Sequence, residues 1–167
     1  MVAFVAAAIA PDDAVILSIR ANYNKAKDEI KLIDKDKRST RVMESAVRFD
    51  VPGKGIAQEV IRFYFTPVYF GEQKEYVDYR LFFVSRHLKL AGKSYYEEYL
   101  YEQGELLFVL ENGYDRDGNK TEKRFYYAGG DIYEMRGASE SWESASARLM
   151  ADDYRHSFDN LIRNAKE

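Results

Sequence analysis

Tyr99-Leu100-Tyr101-Glu102-Gln103-Gly104-Glu105-Leu106 superposes, at a fixed offset, on Phe125-Tyr126-Tyr127-Ala128-Gly129-Gly130-Asp131-Ile132. Each stretch is an aromatic strand, a glycine-containing turn and an apolar strand, which is how a β-hairpin is written. Between the copies, Asn112-Gly113 and Asp117-Gly118-Asn119 supply residues that tolerate positive φ, so further turns fall there. Two copies of a hairpin do not make a solenoid, and the reading is one sheet.

Upstream of the hairpins the hydrophobic period is again two. Met43, Ser45, Val47, Phe49 and Val51 alternate with Glu44, Ala46, Arg48 and Asp50 up to Pro52-Gly53-Lys54-Gly55. A second strand carries Ile61, Phe63 and Phe65 against Arg62 and Tyr64, and residues 66–71 then read as an unusually aromatic loop. A third strand, residues 76–87, places Val77, Tyr79, Leu81 and Phe83 on one face and Arg80, Phe82, Val84 and Arg86 on the other. Residues 39–136 are thus a meander of about seven strands.

Helices flank it. Pro11-Asp12-Asp13 begins a stripe of Ile16, Ile19, Tyr23, Ala26, Ile30 and Ile33, at the spacing of an amphipathic helix that ends near Ile33. At the other end Ala147, Met150, Tyr154, Phe158, Leu161 and Ala165 recur at the same spacing, with Arg148, Asp152, Arg155, Asp159 and Arg163 as a solvated charge ladder. The order predicts an α+β domain over residues 11–167: an antiparallel meander with an N-terminal and a C-terminal helix packed on one face.

Composition narrows the function. The chain has 167 residues, a net charge of −3 and no cysteine. The charge argues against a nucleic-acid partner, since no global basic field is present. The absence of cysteine excludes disulfides, zinc-thiolate sites and thiol nucleophiles. No stretch is uncharged for the ~20 residues that a helical membrane span needs. Residues 1–10, MVAFVAAAIA, are apolar with small-x-small triplets and suit the tail of an export signal, although its basic n-region is missing. The alternative is an apolar tail packed on the domain. Export predicts a periplasmic or secreted protein.

No catalytic signature emerges. His87 and His156 lack metal-spaced partners, and Gly129-Gly130 is too short for a phosphate loop. Asp115-Arg116-Asp117-Gly118-Asn119 begins like a calcium loop, but its sixth position is Lys120 and its twelfth Tyr126, so a hairpin turn is expected, and neither a metal nor a cofactor. Glu97 and Glu98, as strand neighbours, point to opposite faces and cannot act as a pair; a solvated surface is expected for both. Amphipathic aromatic content stands out, with 14 Tyr and 10 Phe. If the odd positions of the third strand face the helices, Arg62, Tyr64, Arg80, Phe82 and Arg86 share the open sheet face, a composition typical of interface hot spots. Tyr69 and Phe70, in the aromatic loop, complete the candidate binding set.

Tyr95-Tyr96-Glu97-Glu98-Tyr99-Leu100-Tyr101, Leu81-Phe82-Phe83-Val84-Ser85-Arg86, Ile19-Arg20-Ala21-Asn22-Tyr23 and Arg124-Phe125-Tyr126-Tyr127 resemble segments of small uncharacterised exported proteins of Bacteroides-type bacteria. The likeness spans most of the chain. The order of elements is also distantly similar to exported PepSY and β-lactamase-inhibitor-like domains, a resemblance that implies binding or inhibition of a protein partner and carries no catalytic residue with it. The leading expectation is therefore a non-enzymatic exported binding or inhibitor module with a protein or peptide partner in the cell envelope, its oligomeric state undetermined by sequence. Two alternatives stand beside it: a carrier of a small apolar ligand in a cavity lined by residues such as Phe63, Tyr79 and Phe83, and a hydrolase using Asp or Glu, which needs two carboxylates converging in a cleft.

Overall fold

A computed structural model describes residues 11–72 and 76–166, so residues 1–10, on which the export reading rests, lie outside the described residues. Helix α1 (Pro11–Lys35) leads into strands β1 (Val42–Val51), β2 (Gly55–Phe70), β3 (Tyr76–Leu90), β4 (Lys93–Glu102), β5 (Glu105–Tyr114), β6 (Lys120–Ala128) and β7 (Asp131–Arg136), and helix α2 (Ser141–Lys166) closes the chain. The strands form one antiparallel sheet in chain order, β1 to β7. This is the α+β meander the periodicities predict. No helix among the described residues is long and apolar enough to cross a membrane.

The helices occupy opposite faces, which corrects the expectation that both share one. Ile16, Ile19, Ala26, Ile30 and Ile33 of α1 pack on Tyr64, Phe83, Leu100, Phe108 and Tyr126. Ala147, Ala151, Tyr154 and Phe158 of α2 pack on Phe63, Phe65, Val84, Tyr99, Val109, Phe125 and Tyr127. Consecutive residues such as Tyr99, Leu100 and Tyr101 are all buried, alternately under one helix and the other. Strands covered on both sides lose their polar alternation and read as continuous apolar runs. Two tyrosines also fasten α2 through their hydroxyls: Tyr101 donates to the Ala151 carbonyl at 2.7 Å and Tyr127 to that of Ser144 at 2.8 Å. On α2 itself Leu161, assigned to the buried stripe by spacing, is exposed, and Ile162 packs instead.

Three bulges interrupt the ladders among the described residues. Tyr64 and Phe65 face Phe83 and Leu81, leaving Phe82 as the extra residue. Leu107 and Tyr133 are the extra residues of β5 and β7. All three pack toward α1. A bulge bends its strand and inverts the facing of everything beyond it, so Leu81 lies on the α2 side and Phe83 on the α1 side. The expectation that Leu81 and Phe83 share a face fails at this one residue.

Candidate functional site

The structure divides the seven predicted binding residues. Tyr64 is 2% exposed beneath α1, its hydroxyl donating to Asp34 at 3.3 Å, so it is core rather than surface. Arg86 lies on the α2 side, between Glu59 and Glu97 at 2.6 Å each, because the bulge at Phe82 inverts its facing. Arg62 is exposed and pairs with Glu44 at 2.7 Å on β1. A single face carrying all five sheet residues therefore does not exist. Phe63 and Tyr79 belong to the α2 core and Phe83 to the α1 core, so these three cannot line one cavity.

Arg80, Phe82, Tyr69 and Phe70 lie along one feature that the aromatic-loop reading misses, with Tyr69 on its other side. Residues 66–70 are strand, not loop, and pair with residues 76–80. The β1 ladder ends at Tyr64 and the β4 ladder at Phe83, so the paired segments 66–70 and 76–80 project from the sheet as a two-stranded arm. An isolated hairpin is marginally stable in water, and this one is braced at its base. The Phe65 ring packs against Phe158 and Tyr79, with both centroid separations 5.4 Å. From the α1 side Arg41 donates to the Phe65 carbonyl at 3.3 Å and to the Thr66 hydroxyl at 2.9 Å, and pairs with Glu29.

At the tip Tyr69 and Phe70 are 56% and 51% exposed. Being adjacent on a strand, they point to opposite sides of the arm. Phe70 falls on the side of Arg80 and Phe82, which line a cleft of about 290 Å³ at the arm's base with Lys25, Glu29 and Thr66. A partner lying along the α1 side would meet an aromatic ring, an arginine and a second ring in succession.

Two polar clusters are not legible from spacing. Glu98, expected at a solvated surface, is 1% exposed and accepts hydrogen bonds from Tyr23, Lys27 and Tyr96. Burial and the neighbouring carboxylate push the Tyr23 and Tyr96 hydroxyls well above the usual phenol range, so both stay protonated donors. The His87 ring packs on Tyr96, and desolvation, aided by the charge of Arg62, lowers its pKa. On the other side of the same strand, Glu97 accepts from Arg86 and, at 2.7 Å, from the Tyr99 hydroxyl. Glu97 and Glu98 do point to opposite faces.

Glu97 stands opposite Glu111 on β5, and Glu111 opposite Lys123 on β6. Burial and the Glu97 charge raise the Glu111 pKa to about 7. This pair brings two carboxylates together, as the hydrolase reading requires, and Glu59 and Glu97 converge likewise on Arg86. Both Glu97 oxygens are already engaged, and the principal clefts among the described residues are lined by other side chains. The turn after β5 is the expected tight hairpin: Asn119 N–H donates to the Asp115 carboxylate at 2.8 Å, and the bonds from Asn119 hold the Asp115 pKa below the usual range. Searches of protein-family models, of curated proteins and of solved structures find no match to this chain.

Proposed function

We propose that the protein is a non-enzymatic, exported binding or inhibitor module that engages a protein or peptide partner of the cell envelope through the β2–β3 arm. The observation that carries this reading is the pair Tyr69 and Phe70, half exposed at the tip of a projecting hairpin. Apolar rings on a marginal two-stranded element cost solvation without adding to a core, so the arrangement favours burial against something else. Rings on both sides suit insertion between two walls of a groove. Phe82 and Arg80 extend the contact toward α1, and Arg is among the residues enriched at interface centres.

The test is capture from envelope extract by the wild-type domain and by the Tyr69→Ala/Phe70→Ala variant. Both side chains lie outside the two buried cores, so the variant stays folded, as its circular dichroism and cooperative melt check, while losing the captured partner. A folded variant that captures the same protein equally well overturns the arm as the binding element. Recovery of the protein from the cytoplasm with Met1 intact overturns export.

A second reading, a small-ligand carrier, draws on one observation. A cleft of about 330 Å³ between α1 and the β5–β6 pair has Phe108, Leu110 and Tyr126 among its lining, with Arg20 and Arg124 beside them. Apolar surface beside guanidinium groups suits a small hydrophobic acid. Saturable quenching of tyrosine fluorescence by an aromatic carboxylate, lost in Arg124→Ala, separates this reading from the first.

A further inference from the structure

The two edges of the sheet are built differently. β7 is six residues long and bulged at Tyr133. β1 is ten residues long, pairs with β2 in an unbroken register and contains no proline or lysine. Residues 44–50 are all exposed, including Val47 and Phe49 at 46% each. A long, regular, partly apolar edge is a template for another strand; this one lacks a bulge, proline or lysine, and its charges, Glu44, Arg48 and Asp50, are of both signs, so they block a mismatched strand and admit one that pairs them.

We infer that β1 pairs antiparallel with β1 of a second copy of this chain, about a two-fold axis at Ala46. Symmetry, charge and length together select this register, since one centred on Phe49 would also set Arg48 opposite Asp50 but would pair only residues 47–51 before the strand ends. An axis perpendicular to the sheet keeps each face continuous, so residues pair with others of the same facing. Centred on Ala46, the seam sets Glu44 opposite Arg48 twice, Met43 opposite Phe49 and Ser45 opposite Val47. Centred on Val47 it would oppose Glu44 and Asp50, and centred on Arg48 it would oppose two arginines; like charges directly opposite destabilise a pair. Arg48 has no ion-pair partner among the described residues, so the second copy would supply the first. Glu44, already bound to Arg62, then lies between two guanidinium groups. The exposed Phe49 gains the Met43 side chain, itself continuous with the α2 core.

The experiment is sedimentation equilibrium of the full chain with two charge variants, Glu44→Arg and Arg48→Glu. Wild type forms a reversible dimer as concentration rises. Each variant alone opposes like charges twice and loses at least about tenfold in self-affinity. In their equimolar mixture, a copy with arginine at both positions meets a copy with glutamate at both, and a one-to-one dimer is recovered. That recovery cannot come from misfolded protein, and circular dichroism checks each variant's fold directly. A wild type that stays monomeric up to submillimolar concentration overturns the pairing. Single variants that dimerise as wild type does, or a mixture that stays monomeric, overturn the register.

Discussion

Glu97 and Glu111 face each other across β4 and β5 beside the N-terminal half of α2, two carboxylates with one arginine, Arg86, bound to the first. Lys123, the cross-strand neighbour of Glu111, is committed to Glu143 at the start of α2. Burial and the Glu97 charge leave Glu111 with a pKa well above the usual carboxylate range.

Its titration makes stability fall with rising pH. The folded-state pKa of Glu111, about 7, lies above the unfolded value of 4.5, so the folded chain binds the extra proton between them. The stabilisation is fully present below about pH 4.5 and gone above about pH 7. Glu111→Gln, which cannot ionise, raises stability at pH 8 by on the order of 2 kcal/mol and removes this slope. Urea unfolding of both proteins across that range reads the difference; parallel curves would exclude Glu111 as the titrating group.

Lys27→Met leaves Glu98 buried with two tyrosine hydroxyls and no cation. Removing one partner of a buried pair costs ~3–5 kcal/mol at full burial, and with Lys27 a third exposed the expected loss is about 2–3 kcal/mol. Lys31→Met, which breaks the exposed pair with Asp28 on the same helix, changes stability by less than ~0.5 kcal/mol. Adding Glu98→Gln to the first variant recovers part of the loss, since the amide still accepts from the tyrosines. Urea unfolding of the three variants beside wild type gives each difference.

Gly137 joins β7 to α2 at φ +73°, where a Cβ would lie 2.1 Å from the Glu122 carbonyl oxygen. Gly137→Ala therefore forces the backbone apart, and the expected loss exceeds ~2 kcal/mol. Gly104 has a similar φ of +86° and open space around it, so Gly104→Ala carries only the conformational cost of about 1 kcal/mol. Thermal melts of the pair separate contact from backbone strain.

On α2, Ile162→Ala costs more than Leu161→Ala, reversing the order the helical stripe implies. Leu161 is 45% exposed and its loss is within ~0.5 kcal/mol, whereas Phe158→Ala, between Phe63 and Phe65, costs ~3–5 kcal/mol. Thermal melts of the three alanine variants rank them.

The meander and both helices are legible because hydrophobic period and glycine turns are local properties. The facing of residues is not, and the reason is specific. Phe82 is one residue too many opposite Tyr64 and Phe65, so parity counted along β3 is right up to Leu81 and wrong from Phe83 onward. That step alone misplaces Arg86. Tyr64 escapes a reading by alternation because burial on both faces makes an inward tyrosine look like an outward one. The arm is hidden behind Pro67, which is rare inside sheets but tolerated where no third strand needs its N–H. Glu98 cannot be read as buried, since the Lys27 and Tyr23 that hold it come from another element.

Sheet order that follows chain order also bears on how this molecule assembles. Every strand finds its partner one turn away, so each pairing closes a short loop and carries little chain-closure entropy. Hairpins can then add one after another without waiting for distant segments to meet. What remains non-local is the seating of α1 and α2, each of which reaches strands far along the chain: Lys27 to Glu98, and Phe158 to Phe63. Helix docking, on two faces independently, is where cooperativity must arise, and a chain deprived of one helix would present a sheet with one wet aromatic side.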